Sequence, residues 1–267
     1  MQQPIVVNKA NITGVMHHTQ SQQFYELRRY VPTDELAYLV EQFWIVDWAL
    51  PTGEIHVQRN LPDPNFHLVL DKNTLSLLGP VSKSYQYTMR GAGRVIGVKF
   101  ALAASLPAHD IVPSQFVDTR ILAQEKFTFA AQLTNQLMRA DDDNRIIKAL
   151  REALKPFCIA PKQPQLKVQQ LVAMIKNNPE LTQVEQLSQS ANMPMRTIQR
   201  YFKEQLGLSP KWLIRKYRMH QALALLDLSD KSLAEVTIWL GYSDQAHFIK
   251  DFKHFTGATP ARFSHKR

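Results

Sequence analysis

Ile198-Gln199-Arg200-Tyr201-Phe202-Lys203-Glu204-Gln205-Leu206-Gly207-Leu208-Ser209-Pro210 decides the fold, because its pattern returns fifty positions later as Phe248-Ile249-Lys250-Asp251-Phe252-Lys253-His254-Phe255-Thr256-Gly257-Ala258-Thr259-Pro260. An apolar residue, a phenylalanine, a lysine, a glycine, a hydroxyl residue and a proline recur at one constant offset. Each copy reads as a helix ended by glycine. In the first, Ile198, Tyr201 and Phe202 make a stripe for burial, while Arg196, Gln199, Arg200 and Lys203 fill the opposite face. In the second, Phe248, Phe252 and Phe255 make the stripe and Gln245, Ala246, Ile249, Lys250 and Lys253 lie across from it. Gly207 and Gly257 can take the left-handed conformation past a helix end, and Pro210 bars simple continuation.

A shorter helix is expected before each of these, over residues 184–191 and 233–240, followed by a tight turn. Gly241 supplies the permissive backbone in the second turn, and Asn192, which tolerates positive φ, stands near the same place in the first. Two helices joined in this way make a helix-turn-helix, whose second helix enters the major groove of DNA. Residues 211–226, with Leu213, Tyr217, Ala222, Leu225 and Leu226, predict a helix joining the two units. Sixteen residues at 1.5 Å each span about 24 Å. Grooves lie about 34 Å apart, so one chain could read two sites about a turn apart, with some DNA bending.

The run Gly241-Tyr242-Ser243-Asp244-Gln245-Ala246-His247-Phe248, continuing through Phe252-Lys253, Gly257 and Thr259-Pro260, strongly resembles the AraC/XylS regulator signature. Arg200 to Pro210 resembles that family's first unit, and the likeness covers about residues 165–263. The resemblance implies a bacterial transcription factor that binds promoter DNA. It places Arg196, Gln199 and Arg200, then Gln245, Ala246, His247 and Lys250, at base-reading positions. Arg196 or Arg200 suits guanine O6 and N7, and Gln199 or Gln245 suits adenine N6 and N7. Lys203 and Lys253 are phosphate candidates, and for Arg196 a phosphate contact or a solvated side chain is the alternative. Ser188 and Thr237 stand where the family usually has alanine, and Pro194 replaces its usual polar helix cap.

Charge agrees with a polyanion partner. The whole chain of 267 residues carries 32 Lys/Arg against 23 Asp/Glu. Residues 1–160 hold 16 against 15 and residues 161–267 hold 16 against 8, so the excess of +9 divides into +1 and +8. A merely solvated basic face would give the same count.

The expected class is α+β. It comprises an N-terminal mixed, β-rich and cupin-like regulatory domain (1–120), a helical connector and linker (121–160) and an all-α DNA-binding domain (161–267) with two helix-turn-helix units on a joining helix. Phe43-Trp44-Ile45-Val46, His67-Leu68-Val69-Leu70 and the run from Val95 to Phe100 read as strands. Turns are expected at Pro51-Thr52-Gly53, Asp71-Lys72-Asn73 and Gly91-Ala92-Gly93. Thr33-Asp34-Glu35 predicts the cap of a short helix carrying Leu36, Leu39, Val40 and Phe43. Phe127, Ala130, Ala131, Leu133 and Leu137, then Ile146, Ile147, Leu150 and Leu154, predict helices on either side of residues 141–144. Ala160-Pro161-Lys162-Gln163-Pro164 reads as a linker that cannot continue a helix. Residues 22–120 more loosely resemble a small N-terminal domain found fused to such regulators, through Phe43-Trp44, Leu61-Pro62-Asp63, Leu78-Gly79-Pro80 and Gly97-Val98-Lys99-Phe100. Ala101-Leu102-Ala103-Ala104 departs from that pattern. The likeness implies ligand sensing.

Other chemistries have weaker support. His56, His67 and His109 with Glu54 or Asp71 would be a cupin-type metal set, but the compact His-x-His spacing is missing, so no metal or cofactor is expected. Cys158 is the single cysteine, which excludes an intrachain disulfide and a zinc-bound alkyl-accepting cysteine cluster. It reads as an inert buried thiol. A DNA-modifying or repair enzyme with the same reader, and an interaction module without DNA, are the alternatives to a non-enzymatic regulator. RNA polymerase, a small-molecule effector and a second copy of the chain are further candidate partners. The start, residues 1–9, lacks a signal-peptide pattern, and no run of about 18 apolar residues occurs, so a cytoplasmic, nucleoid-associated protein is expected.

Overall fold

The computed structural model describes residues 23–106, 108, 110–228 and 232–264. His109 and residues 1–9 lie outside them. The strands among the described residues are β1 (Glu26–Tyr30), β2 (Val40–Ala49), β3 (Ile55–Asn60), β4 (His67–Asp71), β5 (Thr74–Leu78), β6 (Tyr85–Arg90), β7 (Ala92–Phe100) and β8 (Arg120–Leu122). They build an antiparallel sheet in the order β1-β2-β7-β4-β5-β8, and a second sheet of β3 and β6.

Period-two alternation gives the larger sheet its two faces. Phe43, Ile45, Leu68, Leu70, Ile96 and Val98 point into one core with Leu133, Leu137, Ile146, Leu150 and Leu154. Those five belong to helices α1 (Ala130–Arg139) and α2 (Asp143–Leu154). The intervening residues Gln42, Trp44, Val46, His67, Val69, Val95 and Lys99 line a cavity of about 350 Å³, together with Gln58 and Asn60 of β3 and Gln86 and Tyr87 of β6. Gly97 lies opposite Trp44, and a Cβ there would stand 2.0 Å from the indole, so only glycine admits that ring. Between β4 and β5 the chain reverses through Lys72 (φ 46°) and Asn73 (φ 65°), the backbone of a tight hairpin turn.

The helical half consists of α3 (Gln163–Asn177), α4 (Val184–Ser190), α5 (Met195–Leu206), α6 (Pro210–Leu228), α7 (Leu233–Trp239), α8 (Gln245–Thr256) and α9 (Pro260–Ser264). Its own core joins Val168, Leu171, Val172 and Ile175 of α3 with Ile198, Phe202, Leu213, Ala222, Val236, Phe248, Phe252 and Phe255. The chain is therefore an α+β protein with a β-rich N-terminal part and an all-α C-terminal part. No described helix is long and apolar enough to cross a membrane.

Three sequence expectations need correction. The helix read after Thr33 is a single 3-10 turn, Asp34–Leu36, and Val40 and Phe43 belong to β2. Their pairing with Phe100 and Val98 of β7 outweighs the accidental helical spacing. Of Gly91-Ala92-Gly93, only Gly91 (φ 53°) serves the turn, since β7 begins at Ala92. The linker read over residues 160–164 already contains the start of α3, because Pro164 sits in the first turn, where a helix needs no N–H from it.

Candidate nucleic-acid interface

The two helix-turn-helix units share their turn chemistry. In the first, Asn192 has φ 47° and the Met193 N–H bonds the Ser188 carbonyl at 3.0 Å. In the second, Gly241 has φ 70° and the Tyr242 N–H bonds the Thr237 carbonyl at 3.1 Å. A left-handed residue followed by this long-range bond closes a helix end. The hydroxyls of Ser188 and Thr237 are both satisfied. Ser188 Oγ donates to the Met193 carbonyl at 2.6 Å, and buried Thr237 Oγ1 donates to the Leu233 carbonyl at 2.7 Å.

The following helices differ at their starts. Asp244 Oδ1 accepts the His247 N–H at 2.7 Å, and this bond holds the Asp244 carboxyl below its usual range. Pro194 at the head of α5 makes no side-chain cap. Both helices end on left-handed glycines, Gly207 (φ 74°) and Gly257 (φ 71°), which donate to the carbonyls of Lys203 and Lys253 at 3.1 and 2.9 Å. Inward, Ile198, Phe202, Phe248, Phe252 and Phe255 are buried as their spacing predicts. Outward, Arg196, Gln199, Arg200 and Lys203 of α5 and Gln245, Ala246, His247, Lys250 and Lys253 of α8 are all exposed. The fold brings them together as one mixed polar and cationic face on each helix. His247 leans back, its ring 5.2 Å from that of Tyr242 and its Nε2 3.9 Å from Asp251 Oδ2.

What the sequence did not reveal is how α6 carries these helices. At nineteen residues it spans about 28 Å. It buries Trp212, Leu213, Ile214, Met219 and Leu226 on several sides, along with Lys216 and Arg218. Arg218 donates through Nε and Nη2 to the Leu240 carbonyl at 3.1 and 2.6 Å, supplying a cation and donors at the C-terminal end of α7. Its guanidinium lies 3.8 Å from the Tyr242 ring centroid, and burial lowers its pKa. Arg215 grips Asp251 of α8 with both Nε, at 2.8 Å, and Nη2, and Tyr242 Oη donates to the same carboxylate at 3.1 Å. By charge alone Arg215 and Arg218 look like phosphate contacts. The fold alone brings the buried Asp251 carboxylate to Arg215.

In the N-terminal part, two histidines of the metal reading, His56 and His67, have other neighbours. His56 stacks on Phe24 at 4.3 Å, and His67 stands 4.0 Å from Asp63 on the cavity wall. Burial pushes the His67 imidazole down to about 4. Lys99 Nζ bonds Asp63 at 2.9 Å and Glu41 at 3.0 Å. Burial opposes charge on Asp63, but Lys99, with Lys216 of α6, holds its carboxyl well below the usual range. Among the described residues no group of three or more His, Cys, Asp or Glu could hold a metal ion. Cys158 is half-buried and packs beside the first core.

Residues 187–266 match a helix-turn-helix domain family, and residues 28–122 match a domain of unknown function, DUF6597. An HTH-type transcriptional regulator of Haemophilus influenzae is 30% identical over 93 residues, 35% of this chain and 31% of that protein. The HTH-type transcriptional activator RhaS of Mannheimia succiniciproducens is 30% identical over 95 residues, 35% of each chain. The matches thus span about a third of these relatives' lengths. Among solved structures, the C-terminal domain of AraT, a response regulator from Geobacillus stearothermophilus, is 25% identical with a TM-score of 0.36, covering 40% of this chain and 89% of that one.

Proposed function

We propose that the chain, whose residues 187–266 match a helix-turn-helix domain family, is a transcription regulator that reads promoter DNA with α5 and α8 in two successive major grooves. The observation that carries this reading is the repeated, exposed polar and cationic face on two helices held by one connecting helix. Arg196, Gln199 and Arg200 read bases in one groove, and Gln245, Ala246, His247 and Lys250 in the next. Lys203 and Lys253 contact phosphates. The relatives' names support transcriptional regulation, the +8 charge of residues 161–267 supports a polyanion, and neither suggests a catalytic step.

In this reading the cavity between the two N-terminal sheets takes a small-molecule effector, RNA polymerase and a second copy of the chain are further partners, and the protein works in the cytoplasm on the nucleoid. The test is selection from random duplexes by the full chain, followed by affinity against salt. The expected result is one selected site whose affinity falls steeply, by orders of magnitude between about 50 and 200 mM salt. Recovery of no preferred sequence, or affinity indifferent to salt, would sink the reading.

A further inference from the structure

The glycines that end α5 and α8 both abut the N-terminal part of the chain. At Gly207 a Cβ would lie 2.5 Å from the Pro113 carbonyl oxygen and 2.8 Å from the Ser114 nitrogen, so two backbones meet there directly. At Gly257 a Cβ would lie 2.9 Å from Ser84 Oγ. The second meeting point is hydrogen-bonded. The Ser84 N–H donates to the His254 carbonyl at 3.2 Å, His254 Nε2 lies 3.0 Å from the Ser82 carbonyl oxygen, and Trp212 Nε1 of α6 donates to that same oxygen at 2.8 Å.

These two contact points are fastened to each other. Asp118 accepts from both the Ser82 N–H, at 2.7 Å, and the Ser82 hydroxyl, at 2.5 Å, while its own N–H bonds the Pro80 carbonyl at 2.8 Å. One step away the Gly79 N–H bonds the Thr119 carbonyl at 3.1 Å. A Cβ on Gly79 would overlap the Phe116 carbonyl at 1.8 Å, so these strands of chain lie as close as backbone allows. Segments 79–84 and 113–119 therefore form one braced unit that touches the ends of both recognition helices.

Resting on the reading of α5 and α8 as DNA readers, we infer that this unit is a bracket that fixes the separation and relative rotation of the two helices, and so the spacing between the two parts of the DNA site. Two units on a common helix can still swing as that helix bends or as each pivots on it. A third point fixed to each far end removes that freedom. The bracket does so without covering the readers, because it holds the C-terminal ends and leaves every base-reading side chain exposed. Ser82, Ser84, Pro113 and Asp118 are thus positioning residues for recognition. The bracket also adjoins the cavity, since Val81 and Tyr85, flanking the serines, are part of its wall.

The test uses the full chain and a two-part site selected by the unaltered protein, with base pairs inserted between the parts. The unaltered chain should lose about tenfold or more in affinity as the parts move out of register by half a turn. Ser84→Tyr, which drives a bulky side chain toward Gly257, and Asp118→Asn, which keeps the shape but weakens the brace, should flatten that profile by about threefold or more while still binding single parts of the site. Thermal melting identifies any variant that fails to fold, and the conservative Asp118→Asn is expected to retain its fold. Well-folded variants with the unaltered chain's spacing profile would overturn the bracket while leaving DNA reading intact. An unaltered chain that selects no two-part site would overturn both.

Discussion

The two helix-turn-helix units repeat one pattern, yet they are held in place differently. The first rests on hydrocarbon: α3 lies beside α5, and Val168, Leu171, Val172 and Ile175 share a core with Ile198 and Phe202. The second adds a polar frame, in which Arg215, Tyr242 and Asp251 converge and Arg218 closes the end of α7. Their helix starts differ too, with an aspartate cap on α8 and a proline on α5. The difference teaches that a sequence repeat can preserve the face shown to a partner while its mounting diverges, because only that face and the glycine stop must recur.

The largest expected effect breaks the second mounting alone. Asp251→Ala leaves Arg215 and Tyr242 without their shared acceptor in a buried setting, and should cost about 3 kcal/mol in denaturant unfolding. Preference for the DNA contacted by α8 should disappear while that for the α5 side survives. Equal loss on both sides would show that the units are not separately mounted.

A smaller effect follows from the caps. Asp244→Ala should destabilise the chain measurably, whereas Pro194→Ala, which removes no side-chain acceptor, should change stability by less than half as much. Reversal of that order in matched unfolding curves would contradict the contrast.

The smallest effect concerns acid. His67 and His220 are held mainly by burial at about 4 and about 3, below their ordinary 6.5. A histidine whose folded pKa is depressed contributes stability that is complete above about 6.5 and is lost as pH falls toward the folded value. Protonating His220, whose Nε2 has no hydrogen-bond partner among the described residues and which lies near Lys216, is the costlier of the two. His220→Phe should move the midpoint of acid unfolding down by about half a pH unit. An unchanged or higher midpoint would remove His220 from the account.

The helical half was legible because repetition carries its own control: Phe202 and Phe252 at one offset, with glycine stops after each, cannot easily arise from chance. The outward faces followed from those stripes. The mounting was not legible, since Arg215 and Arg218 have the same composition whether they face a phosphate or a carbonyl, and only the fold brings Asp251 and Leu240 to them. In the β-rich half, Phe43, Leu68 and Val98 announced their strands through β-branched and aromatic runs. β1 and β3 did not, because charged and polar side chains such as Arg28, Arg29, His56 and Arg59 interrupt their alternation. The mistaken helix after Thr33 shows the same weakness, since Leu36, Leu39, Val40 and Phe43 satisfy helical spacing while β7 supplies the partner that decides. Ser82 and Asp118, thirty-six residues apart, gave no local signal at all.

The central claim is that one chain reads two grooves with two helices, and comparing Arg196→Ala with Gln245→Ala on randomised DNA tests it most directly. Each substitution should relax base preference by about 1–3 kcal/mol at its own part of the site, and the two parts should lie about ten base pairs apart. Uniform weakening without altered preference, or both substitutions mapping to the same base pairs, would contradict it.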